Sequence, residues 1–352
     1  MGVRMSSEKH EDPGQGRSVK RLIYSVGGGL VLVAIGALAL ESDLLPTWIS
    51  GRTTEAPAAQ SAFFQPPSED ELPEGPFGEA VKRGRDIFMN TSTNAGEYVG
   101  NGLSCSNCHL DGGRQPMAAP MWAAWTRYPM YRKKNNQINT MEDRVMGCFS
   151  YSMNAQHSVS GGPPPHGSDI YRDLDSYFYW LATGAPTNVP MEGNGFGKVA
   201  KTEAGYSSDR GAQVFSANCA VCHGEDGQGQ TDANGRIVFP PLWGPNSYNW
   251  GAGMAKIDTA AAFVQHNMPL SQPGKLSDQE AWDVAAYIDS HERPKDPRQG
   301  KGTVEENRKK SHDGDATYYG QVLNGTLIGV GTPDPARPVG APDAPAGVTP
   351  PE

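Results

Sequence analysis

The chain has 352 residues and a net charge of −9, so as a whole it lacks the electrostatic footprint of a nucleic-acid binder, and no nucleic-acid partner is expected. Only 37% of its residues are hydrophobic, against 43 glycines and 29 prolines, which is lean for conventional apolar cores in a chain long enough for two domains. Bound apolar groups would supply the missing volume.

Residues 1–21 are polar and carry Arg4, Lys9, Arg17, Lys20 and Arg21; Leu22 to Leu40 then runs through nineteen residues without a charge. That length fits a spanning helix of ~20 residues. The basic flank places the N-terminus in the cytoplasm and exports the rest, so an uncleaved anchor is expected. Ala37-Leu38-Ala39 offers the alternative of a cleaved signal. Either way the expected location is the bacterial periplasm, tethered to the inner membrane in the first case. Residues 41–75 contain Pro46, Pro57, Pro66, Pro67 and Pro73 with no sustained apolar period and read as a linker.

An internal repeat follows. Arg83-Gly84-Arg85-Asp86-Ile87-Phe88 matches Arg210-Gly211-Ala212-Gln213-Val214-Phe215, each with helical character. A glycine four residues ahead of an aromatic lets a second helix cross closely while the ring packs on a neighbouring group. The crossing partners are a helix with Ile170, Leu174, Tyr177, Phe178 and Leu181, stopped by Gly184, and one opened by the capping box Ser277-Asp278-Gln279-Glu280 and continued by Ala281, Val284, Ala285 and Ile288.

Between the members of each pair stands Cys105-Ser106-Asn107-Cys108-His109 or Cys219-Ala220-Val221-Cys222-His223, which together use four of the five cysteines. CxxCH is the attachment signal of c-type haem. Two thiols at this spacing can each bond a vinyl group, and the following histidine points at the iron as proximal ligand. Two covalently bound haem c groups are therefore expected. A shared zinc site is the alternative, but each motif carries a histidine that a four-cysteine zinc ribbon does not need.

Helix, CxxCH, loop, terminal helix is thus written twice, and that order is similar to the class I cytochrome c fold. The expected architecture is mainly α, with tandem class I cytochrome c domains at 76–195 (catalytic haem) and 203–296 (electron-transfer haem) and the Gly-rich 191–197 region as hinge. Residues 297–352, charged and then Pro-rich, read as a disordered tail.

The sixth iron ligand decides what each haem does. In the second half Met268 and His266 both precede the terminal helix, and Met268 could also be a core residue. Pro240-Pro241-Leu242-Trp243 should wall the proximal side, where a carbonyl could orient His223. In the first half the candidates are Cys148, Met153, Met146 and, farther off, His157 and His166. A lone cysteine is often a small buried hydrophobe. An unpaired thiol on an exported chain nevertheless calls for a reason, and iron ligation would supply one.

The stretch 144–154, RVMGCFSYSMN, with CSNCHLDGGR upstream and FPPLWGPNSYNWGAGM downstream, resembles the thiosulfate dehydrogenase family of dihaem cytochromes c. The similarity runs from about residue 77 to the Arg293-Pro294 region. It implies His109 and Cys148 as ligands of the first haem iron, His223 and Met268 as ligands of the second, and Arg144 and Ser152 as active-site residues. Some relatives carry an exchanging lysine immediately before the methionine; Asn267 stands there instead. A further basic position is matched by Arg132, Lys133 or Lys134. Independently of the resemblance, residues 127–144 place Arg127, Arg132, Lys133, Lys134 and Arg144 directly before Cys148 in an acidic protein. Bringing two thiosulfate dianions to 4 Å costs roughly 4 kcal/mol even in water, and cations near the iron would offset it.

The expected reaction is oxidation of two thiosulfates to tetrathionate, possible in either direction, with electrons leaving to a periplasmic acceptor such as a soluble cytochrome c or a high-potential iron–sulfur protein. The rival readings are a membrane-tethered electron carrier with no substrate chemistry, in which Cys148 only packs, and a cytochrome subunit of a sulfur-oxidising complex.

Overall fold

The computed structural model describes residues 63–333 apart from 133, 134 and 315. The expected anchor at Leu22–Leu40, most of the expected linker, Lys133, Lys134 and the tail beyond 333 therefore lie outside the described residues. Among those described, no helix is long and apolar enough to cross a membrane.

Two helix pairs organise this body, and the internal repeat explains both. Helix α1 (Gly75–Met89), opened by a proline in its first turn, crosses α3 (Asp169–Leu181). Helix α4 (Ser208–Asn218) crosses α6 (Asp278–Asp289), which begins with the reciprocal Ser277/Glu280 capping box. At each crossing a glycine meets the partner's backbone: a Cβ on Gly84 would collide with the carbonyl oxygen of Asp173, and one on Gly211 with that of Asp283. The preceding arginine then forks onto the same aspartate. Arg83 donates from Nε and Nη2 at 2.8 Å to each oxygen of Asp173, and Arg210 donates to Asp283 at 2.7 Å in the same way. The aromatic four residues on meets a tyrosine of the partner, Phe88 on Tyr177 at 5.7 Å and Phe215 on Tyr287 at 5.3 Å.

Between the pairs run α2 (Met141–Gly147), a π-helical turn (Cys148–Ser152), a short hairpin of β1 (Met130–Arg132) and β2 (Gln137–Asn139), and α5 (Ile257–Asn267). The 247–251 segment joins the two halves. Asn249 Nδ2 donates to the Ser150 carbonyl at 2.9 Å, its N–H donates to the Tyr151 carbonyl at 3.1 Å, and Asn101 Nδ2 bridges the Ser152 and Ser247 carbonyls. Both asparagines are buried. The segment expected as a hinge is also tied down: Met117 and Ala119 donate their N–H groups to the carbonyls of Gly193 and Gly195.

Two expectations need correction. Within the linker, Phe64 stacks on buried Trp122 at 5.3 Å and Glu69 pairs with Arg85, so packed structure begins before residue 75. Residues 297–333 are no disordered tail either. They form α7 (Val304–Ser311) and put Tyr318, Tyr319 and Ile328 into one apolar cluster with Trp250 and Trp282. A few aromatic anchors and a buried polar node at Asp296 hold this part, and neither leaves an apolar period in the sequence.

Candidate functional site

The first CxxCH motif opens onto a cavity whose apolar walls include Phe88, Leu103, Met121, Val145, Leu174 and Phe178. Cys105, Cys108 and His109 lie on one side, and Arg144, Cys148, Ser152 and Met153 come from α2 and the π-helical turn. The π geometry matters because a single wide turn changes which side chains face inward, and such turns recur at functional sites. Of the distal candidates, Cys148 and Met153 reach the cavity, whereas Met146, His157 and His166 are not among its walls; His166 instead meets Glu142 at 2.8 Å. Arg144 contacts the first of the two that remain. Its Nη1 donates to Cys148 Sγ at 3.0 Å. The pull of Cys148 raises the Arg144 pKa in spite of burial.

His109 is set up as a neutral donor. Its Nδ1 lies 2.8 Å from the Ala119 carbonyl, which leaves Nε2 for a metal. Burial pushes its pKa down to about 4, with the Ala119 bond opposing, so the imidazole carries no proton to lose on ligation. Burial likewise raises Cys105 to about 12 and Cys108 to about 11, so neither thiol brings charge into the cavity. Two neutral thiols, a neutral imidazole with a free Nε2 and an apolar cavity fit a covalently attached haem.

The second motif repeats the arrangement. His223 Nδ1 sits 2.9 Å from the Pro240 carbonyl, as its Pro-Pro wall suggested, and burial lowers its pKa. Met268, at the end of α5, packs against the cluster of Phe215, Trp243, Val264 and Leu276 that also touches Cys219. His266 turns elsewhere, with its ring against Gly197. Asn267, standing where some relatives carry lysine, is buried and donates to the Met117 and Phe263 carbonyls. An aromatic bridge joins the halves here: Phe196 stacks on His109 at 6.2 Å and meets Phe263 of α5 at 5.7 Å.

Arg132 belongs to β1 and donates to the Tyr128 hydroxyl at 3.1 Å. It borders two surface clefts that Arg144 also borders. Sequence reasoning missed Tyr128 and Tyr248, which line the haem-type cavity, and Arg298, which reaches the neighbouring cleft. The tyrosines carried no motif, and Arg298 lies in the segment that reads as tail.

Repeated helix crossings around CxxCH motifs, each backed by an oriented histidine, define a c-type cytochrome. Residues 208–292 match the cytochrome c family. The chain is 48% identical to the thiosulfate dehydrogenase of Stutzerimonas stutzeri strain A1501, over 86% of this chain and 97% of that one. It is 44% identical to the thiosulfate dehydrogenase of Thiomonas intermedia strain K12, over 86% and 93%. Among solved structures, thiosulfate dehydrogenase TsdBA from Marichromatium purpuratum, in its "as isolated" form, superposes with a TM-score of 0.74 at 49% identity. That match covers 77% of this chain and 58% of the longer one. The chain belongs to the thiosulfate dehydrogenase family.

Proposed function

We propose that this protein is a periplasmic dihaem cytochrome c that joins two thiosulfates through their sulfane sulfurs, 2 S₂O₃²⁻ → S₄O₆²⁻ + 2 e⁻, with no proton exchanged. The first haem would be held by Cys105, Cys108 and His109 with Cys148 as distal ligand, the second by Cys219, Cys222 and His223 with Met268. When bound, the two haems supply one-electron acceptors, two in number to match the two electrons. The observation that carries the reading is the Arg144 guanidinium 3.0 Å from Cys148 Sγ in the same cavity as His109, since a plain electron carrier has no use for a cysteine and a cation paired there.

In this reading the chain's own groups bind and orient anions. Arg144, Ser152 and Arg132 hold the sulfonate ends, which lowers the repulsion between two dianions. Lys133 and Lys134 are further candidates by sequence. In the tetrathionate-reducing direction the Cys148 sulfur could attack the central S–S bond, forming one S–S bond to the cysteine and releasing one thiosulfate. Met268, as a thioether ligand, would raise the potential of a haem held there and so suit it as the outlet to an acceptor such as a soluble cytochrome c or a high-potential iron–sulfur protein. The apolar Leu22 to Leu40 segment supports export and a tether to the inner membrane. The same parts would serve tetrathionate reduction.

The test is low-temperature EPR of the oxidised holoprotein beside Cys148→Ala, with thiosulfate-dependent ferricyanide reduction on both samples. A thiolate-type low-spin signal and activity should be present in the parent and lost in the variant. Identical spectra without activity in either would instead assign the protein to tethered electron transfer.

A further inference from the structure

Beside the haem-type cavity lies a second cleft of about 420 Å³. The two spaces share Arg144 and Ser152 as common walls. Arg132 reaches the cleft from β1, and Arg298 and Lys310 reach it from the 297–311 segment, against a single lining carboxylate, Asp143. Asp143 is engaged in capping α2, where it accepts from Thr140 N and Oγ1 at 2.8 Å. Among the described residues four cations thus face this cleft, in a protein of net charge −9.

Arg298 is built in rather than draped on the surface. Its side chain is 10% exposed, and it forks onto Asp296, itself 0% exposed, through Nε and Nη2 at 2.7–3.2 Å. Nη1 lies outside that fork. Asp296 is fixed from behind by His312 Nε2 at 2.7 Å and Asn307 Nδ2 at 3.2 Å. The guanidinium stands over the Tyr151 ring at 5.1 Å, one residue before Ser152. A buried network spanning α7 therefore presents one guanidinium to a cleft that shares Arg144 and Ser152 with the haem-type cavity.

We propose that this cleft is the second sulfonate subsite of the enzyme, and that Arg298, with Arg132 and Lys310, binds the far end of tetrathionate or the second incoming thiosulfate while Arg144 holds the end beside Cys148. The inference rests on the function proposed above and deepens it. One arginine at Cys148 accounts for one sulfonate, whereas tetrathionate carries two at opposite ends of a four-sulfur chain. The cleft shares Arg144 and Ser152 with the cavity and adds Arg132, Arg298 and Lys310 to them, cations that a second sulfonate would need.

The test compares the full-length holoenzyme with Arg298→Gln, Arg298→Lys and Lys310→Gln. Calorimetric binding of tetrathionate to the oxidised protein and KM for thiosulfate are read beside the haem absorption and EPR spectra. Arg298→Gln should weaken tetrathionate and raise KM by about tenfold, as expected for losing one charged contact, with haem spectra unchanged. Arg298→Lys should recover most of the loss. Lys310→Gln, on the exposed side of α7, should shift both quantities in the same direction and serves if Arg298→Gln does not fold. If folded variants bind tetrathionate and thiosulfate as the parent does, the subsite is overturned while the proposed activity stands. A parent that neither binds tetrathionate nor oxidises thiosulfate would overturn the proposed activity itself.

Discussion

Arg144 Nη1 donates to the Sγ of Cys148 at 3.0 Å, across one turn of α2 as it passes into a π-helical turn. In the proposed reaction this pair would set a cation beside the sulfur assigned to the iron, where dianions would arrive. Hydrogen bonds to charged groups contribute about 1.5–3 kcal/mol. Arg144→Gln is therefore expected to lower kcat/KM for thiosulfate by about 10- to 100-fold and to shift the EPR signal assigned to Cys148. Unchanged kinetics and an unchanged signal would remove Arg144 from the site.

Gly84 and Gly211 occupy equivalent crossings, each against the carbonyl of the aspartate that also receives the preceding arginine. Neither partner backbone can yield without moving the helix that carries it. Gly84→Ala and Gly211→Ala should each destabilise the holoprotein by about 1–3 kcal/mol, the usual cost of overpacking a tight contact. Urea unfolding followed by tryptophan emission measures this, and a midpoint equal to the parent's would show that the crossings are slack.

Met268 shares an apolar cluster with Cys219, whereas His266 packs on Gly197. A thioether axial ligand raises a haem potential. Met268→Ala is expected to lower the potential of one haem and to slow steady-state turnover, while His266→Ala leaves both potentials in place. A potentiometric titration decides this; equal shifts from the two variants, or none from Met268→Ala, would reassign the ligand.

Asp296 gives the C-terminal segment a pH signature. Burial opposes its ionisation, but the hydrogen bonds and charges of His312 and Arg298 more than offset that and hold the carboxyl well below the usual range. A carboxyl with a depressed folded value contributes stability that is present above its unfolded pKa of about 3.9 and lost as pH falls toward the folded value. Protection of α7 in hydrogen exchange should therefore hold near neutrality and decline below about pH 4. In Asp296→Asn it should be weaker at neutral pH and flatter across that range. Parallel pH profiles for the two proteins would remove Asp296 from that role.

Much of this molecule was legible along the chain because its chemistry is written locally. A CxxCH motif holds thiols and imidazole within five residues, so no long-range fold is needed to read it. The glycine and aromatic of each crossing are four apart on one helix face, so Gly84/Phe88 and Gly211/Phe215 announced the crossings before their partners were known. Even the carbonyl behind His223 could be anticipated from the consecutive prolines 240 and 241.

Choices between candidates a few residues apart were different. Met146, Cys148 and Met153, or His266 and Met268, differ in which way a turn points them, and that depends on packing from elsewhere: the π-helical turn pinned by Asn249 and Asn101, and the Gly197 segment that receives His266. Arg298 was hidden most fully. A charged, Pro-flanked stretch has no apolar period, and its order rests on Asp296, His312 and Tyr319, whose partners are distant in sequence. The sequence by itself determined where the CxxCH motifs and the helix crossings fall, since both depend on fixed local spacing. Only the tertiary structure decided which side chains meet across the cavity and its neighbouring cleft, because those encounters are set by how separate segments close on one another.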